Sequence, residues 1–201
     1  MKLILASNNP GKLKEMRELL GNADVELLSQ RDAGCDFSVE EMGETFEENA
    51  YLKAAAITAA TGEAAVADDS GLMVRALSGA PGVHSARFTG SHEDSDEARN
   101  AYLLQKLEGE TDRRAKFVSC ICCTFPDGTV LRTRGECTGS IALSPRGEHG
   151  FGYDPLFLSD DYPGRTMGEL TAAEKNAVSH RSRAIAEFVT ALARRKGETG
   201  C

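Results

Sequence analysis

Two adjacent carboxylates, Asp68 and Asp69, follow the apolar run Ala64-Ala65-Val66-Ala67 and precede Ser70-Gly71 and a second apolar run, Leu72-Met73-Val74. Two like charges this close are costly unless a cation or strong donors share them. A hard divalent ion, bound through oxygen and bridging to phosphate, is one chemistry that resolves the cost. The pattern predicts a strand that ends in a sharp Ser-Gly turn with the acids at its rim. Successive side chains of an extended chain point to opposite faces, so the two acids should differ in role: one facing a cleft, the other bracing the turn. Asp-Asp-Ser-Gly is also ordinary turn composition, and taken alone it favours a solvated turn. Its company along the chain reverses that weighting.

A second chemical stretch is Ser7-Asn8-Asn9-Pro10-Gly11-Lys12, placed between an apolar strand at 2–6 and a helix with Leu13, Met16, Leu19 and Leu20 on its apolar positions. Asn9 is a good N-cap and Pro10 a good first helical residue. Strand, polar turn and helix N-terminus present backbone N–H groups and the positive dipole end to an anion, and Lys12 adds a full charge. The spacing is not that of a Walker A loop, and an ordinary strand-to-helix turn is an equal alternative on these residues alone. Acids at 40, 41, 44, 47 and 48 surround a capping box, Thr45-Phe46-Glu47-Glu48, which opens an Ala-rich helix. They either complement the helix dipole or lend one acid, ahead of the cap, to a metal shared with Asp69. Asn49 and Lys53, four apart on that helix, share a face and can look into the same cleft.

The chain has 201 residues and a formal net charge of −8, with 41% hydrophobic and 27% charged residues. That is ordinary for one soluble globular domain, or two closely joined lobes. The acidic balance argues against a general nucleic-acid or anionic-membrane surface but leaves room for a phosphate ligand held by a few local cations. No apolar run is long enough to span a bilayer, and the first residues read as a strand rather than a signal peptide. Cys35, Cys120, Cys122, Cys123, Cys137 and Cys201 are irregularly spaced, without a paired zinc pattern. They are expected to be small buried residues of a cytosolic protein, without disulfides.

The remaining elements follow from pattern. A second short strand is expected at 25–28 and an irregular segment at 30–39. Residues 91–112 read as a charged helix with Ala98, Tyr102 and Leu103 inward. Two long β runs, 115–125 and 129–143, meet at the hairpin signal Pro126-Asp127-Gly128, and are expected to build a central sheet and a subunit contact. Residues 147–157 alternate glycine with aromatics before Asp154-Pro155. Glycine permits close backbone approach to a ligand and an aromatic face can stack on a base; alternatively the aromatics plug a core. Arg87 is a candidate phosphate or carboxylate partner. A final amphipathic helix carries Ala184, Ile185, Phe188, Val189 and Leu192 on one stripe, with Lys175, His180 and Arg181 clustered near its start.

Together these stretches resemble the inosine triphosphate pyrophosphatase family, the dITP/XTP pyrophosphatases. The resemblance is carried by Ser7-Asn8-Asn9 with Lys12, by Glu41, Gly43, Thr45-Phe46 and Asn49-Ala50, and by Ala67-Asp68-Asp69-Ser70-Gly71-Leu72. Pro81-Gly82-Val83 with Ser85-Ala86-Arg87, Gly150-Phe151-Gly152-Tyr153-Asp154-Pro155 and Lys175-Asn176 with Ser179-His180-Arg181 complete it. Six motifs in register cover nearly the whole chain. Phe88 stands where a tyrosine is usual, which removes a hydroxyl contact. Met167-Gly168 stand where Phe-Ala is common, and Gly168 is expected to loosen that turn.

The resemblance implies a two-lobed α/β protein, an elongated mixed central sheet flanked by helices with a deep cleft between lobes, working as a cytoplasmic homodimer. It implies Mg²⁺-dependent cleavage of nucleoside triphosphates to monophosphate and pyrophosphate. By the same match Asp69 is the proton acceptor and a metal ligand, Glu41 the second acid on the metal and Asp68 a weaker candidate. The Ser7–Lys12 turn holds phosphate, with Lys53 and Ser70 also on the substrate. Phe151 and Tyr153 wall the base, with Gly152 and Asp154 in the same loop, and Lys175, His180 and Arg181 donate to base and phosphate. One rival reading is a non-catalytic nucleotide sensor on the same fold, against which retention of Asp69 and Glu41 beside Lys12 favours the enzyme; a nearer rival is a pyrophosphatase of different base preference, or a phosphatase releasing single phosphates.

Overall fold

The structure is a computed structural model that describes residues 1–199 apart from Asn22, Asp36 and His92. Strand β1 (Lys2–Leu5) leads into helix α1 (Pro10–Leu20), whose N-cap is Asn9: its side chain accepts the Lys12 N–H at 3.0 Å. β2 (Glu26–Ser29) follows, and then α2 (Phe46–Thr61), opened by the reciprocal Thr45–Glu48 capping box and closed by Gly62 at φ 68°. β3 (Ala65–Val74), α3 (Asp96–Lys106), β4 (Arg114–Thr124), β5 (Val130–Ile141), β6 (Phe157–Ser159), α4 (Ala172–Val178) and α5 (His180–Thr199) complete the order. One six-stranded sheet runs β2-β1-β3-β4-β5-β6. It is mixed: β1 is parallel to β2 and β3, and β5 is antiparallel to β6. The α/β class and most element positions agree with the sequence reading.

The chain forms two compact units. One comprises Met1–Asp69, Ser119–Gly135 and the chain from Arg181 onward, and the other Ser70–Val118 with Glu136–His180. The first has a core of Leu3, Leu5, Met16, Val66, Ile121 and Phe188, with the stripe on α5 contributing Ala184, Ile185 and Leu192 as its spacing required. The second packs Leu72, Leu103, Phe117, Phe157 and Leu170.

Three local expectations are corrected. β3 does not end at Ser70-Gly71; it runs on to Val74 with both acids inside it. Nearly every β3 residue is buried, so the strand reads as a continuous apolar run, and the charges within it are met by side chains from other elements rather than by a turn. On α3, Ala98 is exposed and the buried face is set by Asn100 and Leu103, continuing to Leu107 just beyond the helix, at helical spacing. Gly168 does not loosen its turn. A Cβ there would lie 2.8 Å from the Arg146 carbonyl oxygen, and one on Gly147, at φ +83°, would lie 2.0 Å from Gly168 backbone atoms. Close packing therefore sets both positions. Phe88 uses its ring instead of the missing hydroxyl, packing edge-on against Tyr102 at 5.1 Å. Cys35, Cys120, Cys122, Cys123 and Cys137 are buried, and burial pushes the Cys122 thiol up to about 11 and Cys123 to about 12. Cys201 lies outside the described residues.

Candidate active site

The two adjacent acids face different neighbours, as strand alternation dictates. The Asp68 side chain has no solvent exposure. Its Oδ1 accepts from the Ser119 hydroxyl at 2.6 Å, and its Oδ2 from Arg181 Nη2 and Lys12 Nζ, each at 3.0 Å. Arg181, 1% exposed, is closed on its other side by Glu15 of α1. Burial alone would raise the Asp68 carboxyl, but Arg181, Lys12 and the Ser119 hydroxyl outweigh it and hold the group well below the usual carboxylate range. Asp68 is thus the hub of an ion-pair network with Lys12 and Arg181, and the Arg181 guanidinium is paired with Asp68 and Glu15. A charge this buried persists only when paired, which is why Glu15, Lys12 and Ser119 converge on the pair.

Asp69 is handled differently. Its Oδ1 meets Lys53 Nζ at 2.6 Å, and the same ammonium binds Glu41 Oε1 at 2.8 Å. Lys12 and Lys53 both donate to the Asp68 carbonyl oxygen at 3.2 Å. Two anions thus share one cation. Burial pushes the Asp69 carboxyl up, Lys53 and Lys12 oppose this and Glu41 adds to it, leaving Asp69 less acidic than usual. Lys53 feels both anions, which outweigh its burial and hold it charged. Lys12 is shifted down, chiefly by burial, with Lys53 and Arg181 adding to the effect. Glu41 is fixed by a loop clamp. Asn49, fully buried, accepts the Gly43 N–H at 2.8 Å and donates to its carbonyl at 3.4 Å, and a Cβ on Gly43 would fall 2.7 Å from the Asn49 amide oxygen. Lys53 therefore looks toward the acids as expected, while Asn49 instead holds the segment that presents Glu41.

The Ser7–Lys12 turn has the geometry its composition implies. Asn9 accepts from Lys12, the Asn9 N–H donates to Ser7 Oγ at 3.2 Å, and Pro10 has no N–H, so Gly11 contributes the remaining first-turn donor. Asn8, Asn9 and Pro10 are exposed and Gly11 half-buried. Ser70, half-buried, follows the acids on β3.

In the second unit the aromatic loop divides its labour. Tyr153 is a core residue, 4% exposed, with its hydroxyl donating to the Ser85 carbonyl at 2.9 Å. Phe151 is half-buried, with Lys175 Nζ 4.8 Å from its ring centroid. Asp154 Oδ2 binds that ammonium at 2.6 Å and accepts the Phe151 N–H at 2.9 Å. His180 stacks on Phe117 at 4.8 Å. Lys175, His180 and Arg181 each meet a different protein group, and Tyr153 is part of the core of this unit.

The sequence profile of the Ham1 family matches residues 3–191. The chain belongs to the Ham1 family. A curated relative from Exiguobacterium sp., named dITP/XTP pyrophosphatase, is 52% identical over 185 residues, spanning 92% of this chain and 93% of that protein. The solved structure of the Staphylococcus aureus Ham1 protein superposes with a TM-score of 0.87 at 41% identity, covering 97% of this chain and 100% of that one. A Mycobacterium abscessus structure titled nucleoside-triphosphatase, dITP/XTP pyrophosphatase, matches with a TM-score of 0.76 at 46% identity, over 94% and 98% of the two chains. The family resemblance read from the six motifs is borne out.

In this Ham1 chain no group of three or more His, Cys, Asp or Glu side chains among the described residues is placed to hold a metal. Asp69 and Glu41 nevertheless suit a hard cation: both present carboxylate oxygens to one positive centre. Mg²⁺ is commonly held by one or two carboxylates with water and substrate phosphate completing its shell. Sequence reasoning missed Glu15 and Ser119. The signal for Ser119 was legible, since a hydroxyl inside the apolar run Phe117-Val118-Ser119-Cys120-Ile121 needs a buried partner. Glu15 gave none, since an acid on an amphipathic helix reads as surface.

Proposed function

We propose that the protein is a Mg²⁺-dependent pyrophosphatase that clears dITP, ITP and XTP from the nucleotide pool, releasing the monophosphate and pyrophosphate. The observation that carries this reading is the Asp69 carboxylate, buried and made less acidic, held on Lys53 with Glu41 sharing the ammonium, in a Ham1 chain. The Asp69 carboxylate is suited to take the proton of water as its oxygen bonds to the α-phosphorus. The bond from the α-phosphorus to the bridging oxygen then breaks, and pyrophosphate leaves with the electron pair. Lys12 and Lys53 supply positive charge against the phosphates, and the α1 N-terminus offers the Gly11 N–H to an anion. Asp69 and Glu41 would hold Mg²⁺, which neutralises phosphate charge when bound.

The base is assigned to Phe151, whose half-buried ring offers a stacking face, and to Lys175, which Asp154 holds over that ring. A lysine donor suits an oxygen at C6 better than an amino group. His180 is kept as a further base-side donor, while Arg181 acts through Asp68. We further propose a cytoplasmic homodimer acting on small nucleotides rather than on nucleic acid. Among the described residues no helix is long and apolar enough to cross a membrane.

Product analysis on ITP, XTP, dITP, GTP and ATP at one Mg²⁺ concentration, scoring pyrophosphate apart from phosphate, tests the assignment. Pyrophosphate from ITP and XTP, with ATP at least tenfold poorer in kcat/KM, is expected. Single phosphates, or ATP within that margin, would refute it. Light scattering at micromolar concentration that gives a monomer mass would refute the dimer.

A further inference from the structure

Gly152 stands at the centre of the loop that carries Phe151 and is held at both of its backbone polar groups by α3. Its N–H donates to Asp96 Oδ2 at 2.6 Å, and its carbonyl accepts from Asn100 Nδ2 at 3.0 Å. Asp96 and Asn100 are four apart and so share one helix face. Asp96 is steadied by Arg99, which also donates to the Asp94 carbonyl. Gly152 sits at φ +64°, and a Cβ built there would meet nothing within 4 Å. Side-chain packing therefore does not hold this residue, and the two hydrogen bonds fix the peptide planes on either side of it. One of those planes is the Phe151–Gly152 peptide, which sets how the Phe151 backbone presents its ring.

Asn100 occupies a position where the spacing of Leu103 and Leu107 calls for an apolar residue, yet it is only 4% exposed. A buried amide is costly unless bonded, and the Gly152 carbonyl is the partner found for its Nδ2. Neither Asp96 nor Asn100 belongs to the acid and lysine cluster around Asp69. We propose that Asp96 and Asn100 are positioning residues for the base: by clamping Gly152 they hold Phe151 in place for stacking on the purine. The proposal rests on the assignment of Phe151 to the base and adds to it the device that keeps the ring in register.

The test is steady-state kinetics on ITP with Asn100→Asp, Asp96→Ala, Asp96→Asn and Phe151→Ala. Asn100→Asp keeps the side-chain volume and removes the donor to the Gly152 carbonyl. KM for ITP is expected to rise about tenfold, equivalent to about 1.4 kcal/mol, with kcat within about twofold and the inhibition constant for pyrophosphate unchanged. Asp96→Ala should show the same split. Asp96→Asn retains an oxygen acceptor for the Gly152 N–H and should restore a KM close to wild type. The Asp96 side chain is 36% exposed, so Asp96→Ala carries the test should Asn100→Asp not fold. The proposal is overturned if KM stays at the wild-type value in Asn100→Asp and Asp96→Ala while Phe151→Ala raises it, or if kcat and the pyrophosphate constant fall together. If Phe151→Ala also leaves KM unchanged, the base assignment fails and this inference with it.

Discussion

Replacing Asp68 by Asn keeps the shape of the side chain and its contact with the Ser119 hydroxyl, and removes one negative charge from a site with no solvent exposure. Arg181, 1% exposed, would lose this carboxylate and keep Glu15, and Lys12 would keep the residue-68 carbonyl. Breaking one side of a buried ion pair costs about 3–5 kcal/mol, because the stranded charge stays out of water. For a chain of this size each kcal/mol moves the melting temperature by roughly 2–4 °C, so Tm is expected to fall by about 6–20 °C. Urea unfolding followed by circular dichroism measures the loss as a shift in midpoint at constant slope. Arg181→Met should be similarly damaging alone. The Asp68→Asn, Arg181→Met double variant should be less damaged than the sum of the singles, by roughly 0.5–3 kcal/mol. A loss under about 1 kcal/mol for Asp68→Asn, the range of an exposed pair, would refute the hub assignment. So would strict additivity of the two changes.

Asp69→Asn is expected to abolish turnover while the chain still folds, since the amide keeps the shape and loses the proton-accepting charge; turnover near wild type at saturating Mg²⁺ would remove Asp69 from the mechanism. Gly147→Ala and Gly164→Ala both place a side chain at positive φ, but only the first meets backbone, at 2.0 Å, while the second meets nothing within 4 Å. Gly164→Ala should cost about 1–2 kcal/mol from the left-handed backbone alone, and Gly147→Ala at least about 1–3 kcal/mol more from overpacking; equal midpoints in denaturant would show that the loop relaxes freely. Glu174 is held down at about 2 by Arg165 and by the Thr171 N–H and hydroxyl. A carboxyl lowered on folding stabilises above its unfolded value of 4.5 and loses that contribution as pH falls toward its folded value. The Tm of Glu174→Gln should accordingly lie slightly below wild type at neutral pH and converge with it as pH falls from 4.5 toward 2. A gap that stays constant over that range would exclude the linkage.

Much of this protein is fixed by local chemistry and so was legible in the chain. Asn9 before Pro10 and the Thr45–Glu48 box start α1 and α2 because capping groups and the donors they satisfy lie within three residues of one another. The stripe on α5 and the β4–β5 hairpin follow from the helical period and from Gly128 at positive φ. The contrast between Asp68 and Asp69 follows from strand alternation, and the family follows from six motifs kept in register. What each acid faces did not follow. Arg181 reaches Asp68 across 113 positions in sequence, and Ser119 reaches it across 51. Asn100 finds Gly152 across 52 positions. The sequence supplies these polar residues without their partners, so the ion pairs of Arg181 and Lys175 do not show in it, and Ser70-Gly71 reads as a turn although β3 runs through it. Only the tertiary fold sets which charges are withdrawn from water, and desolvation then decides the role. A guanidinium 1% exposed between two carboxylates is held in a buried ion pair, whereas Asp69, sharing one ammonium with Glu41, is left less acidic than usual.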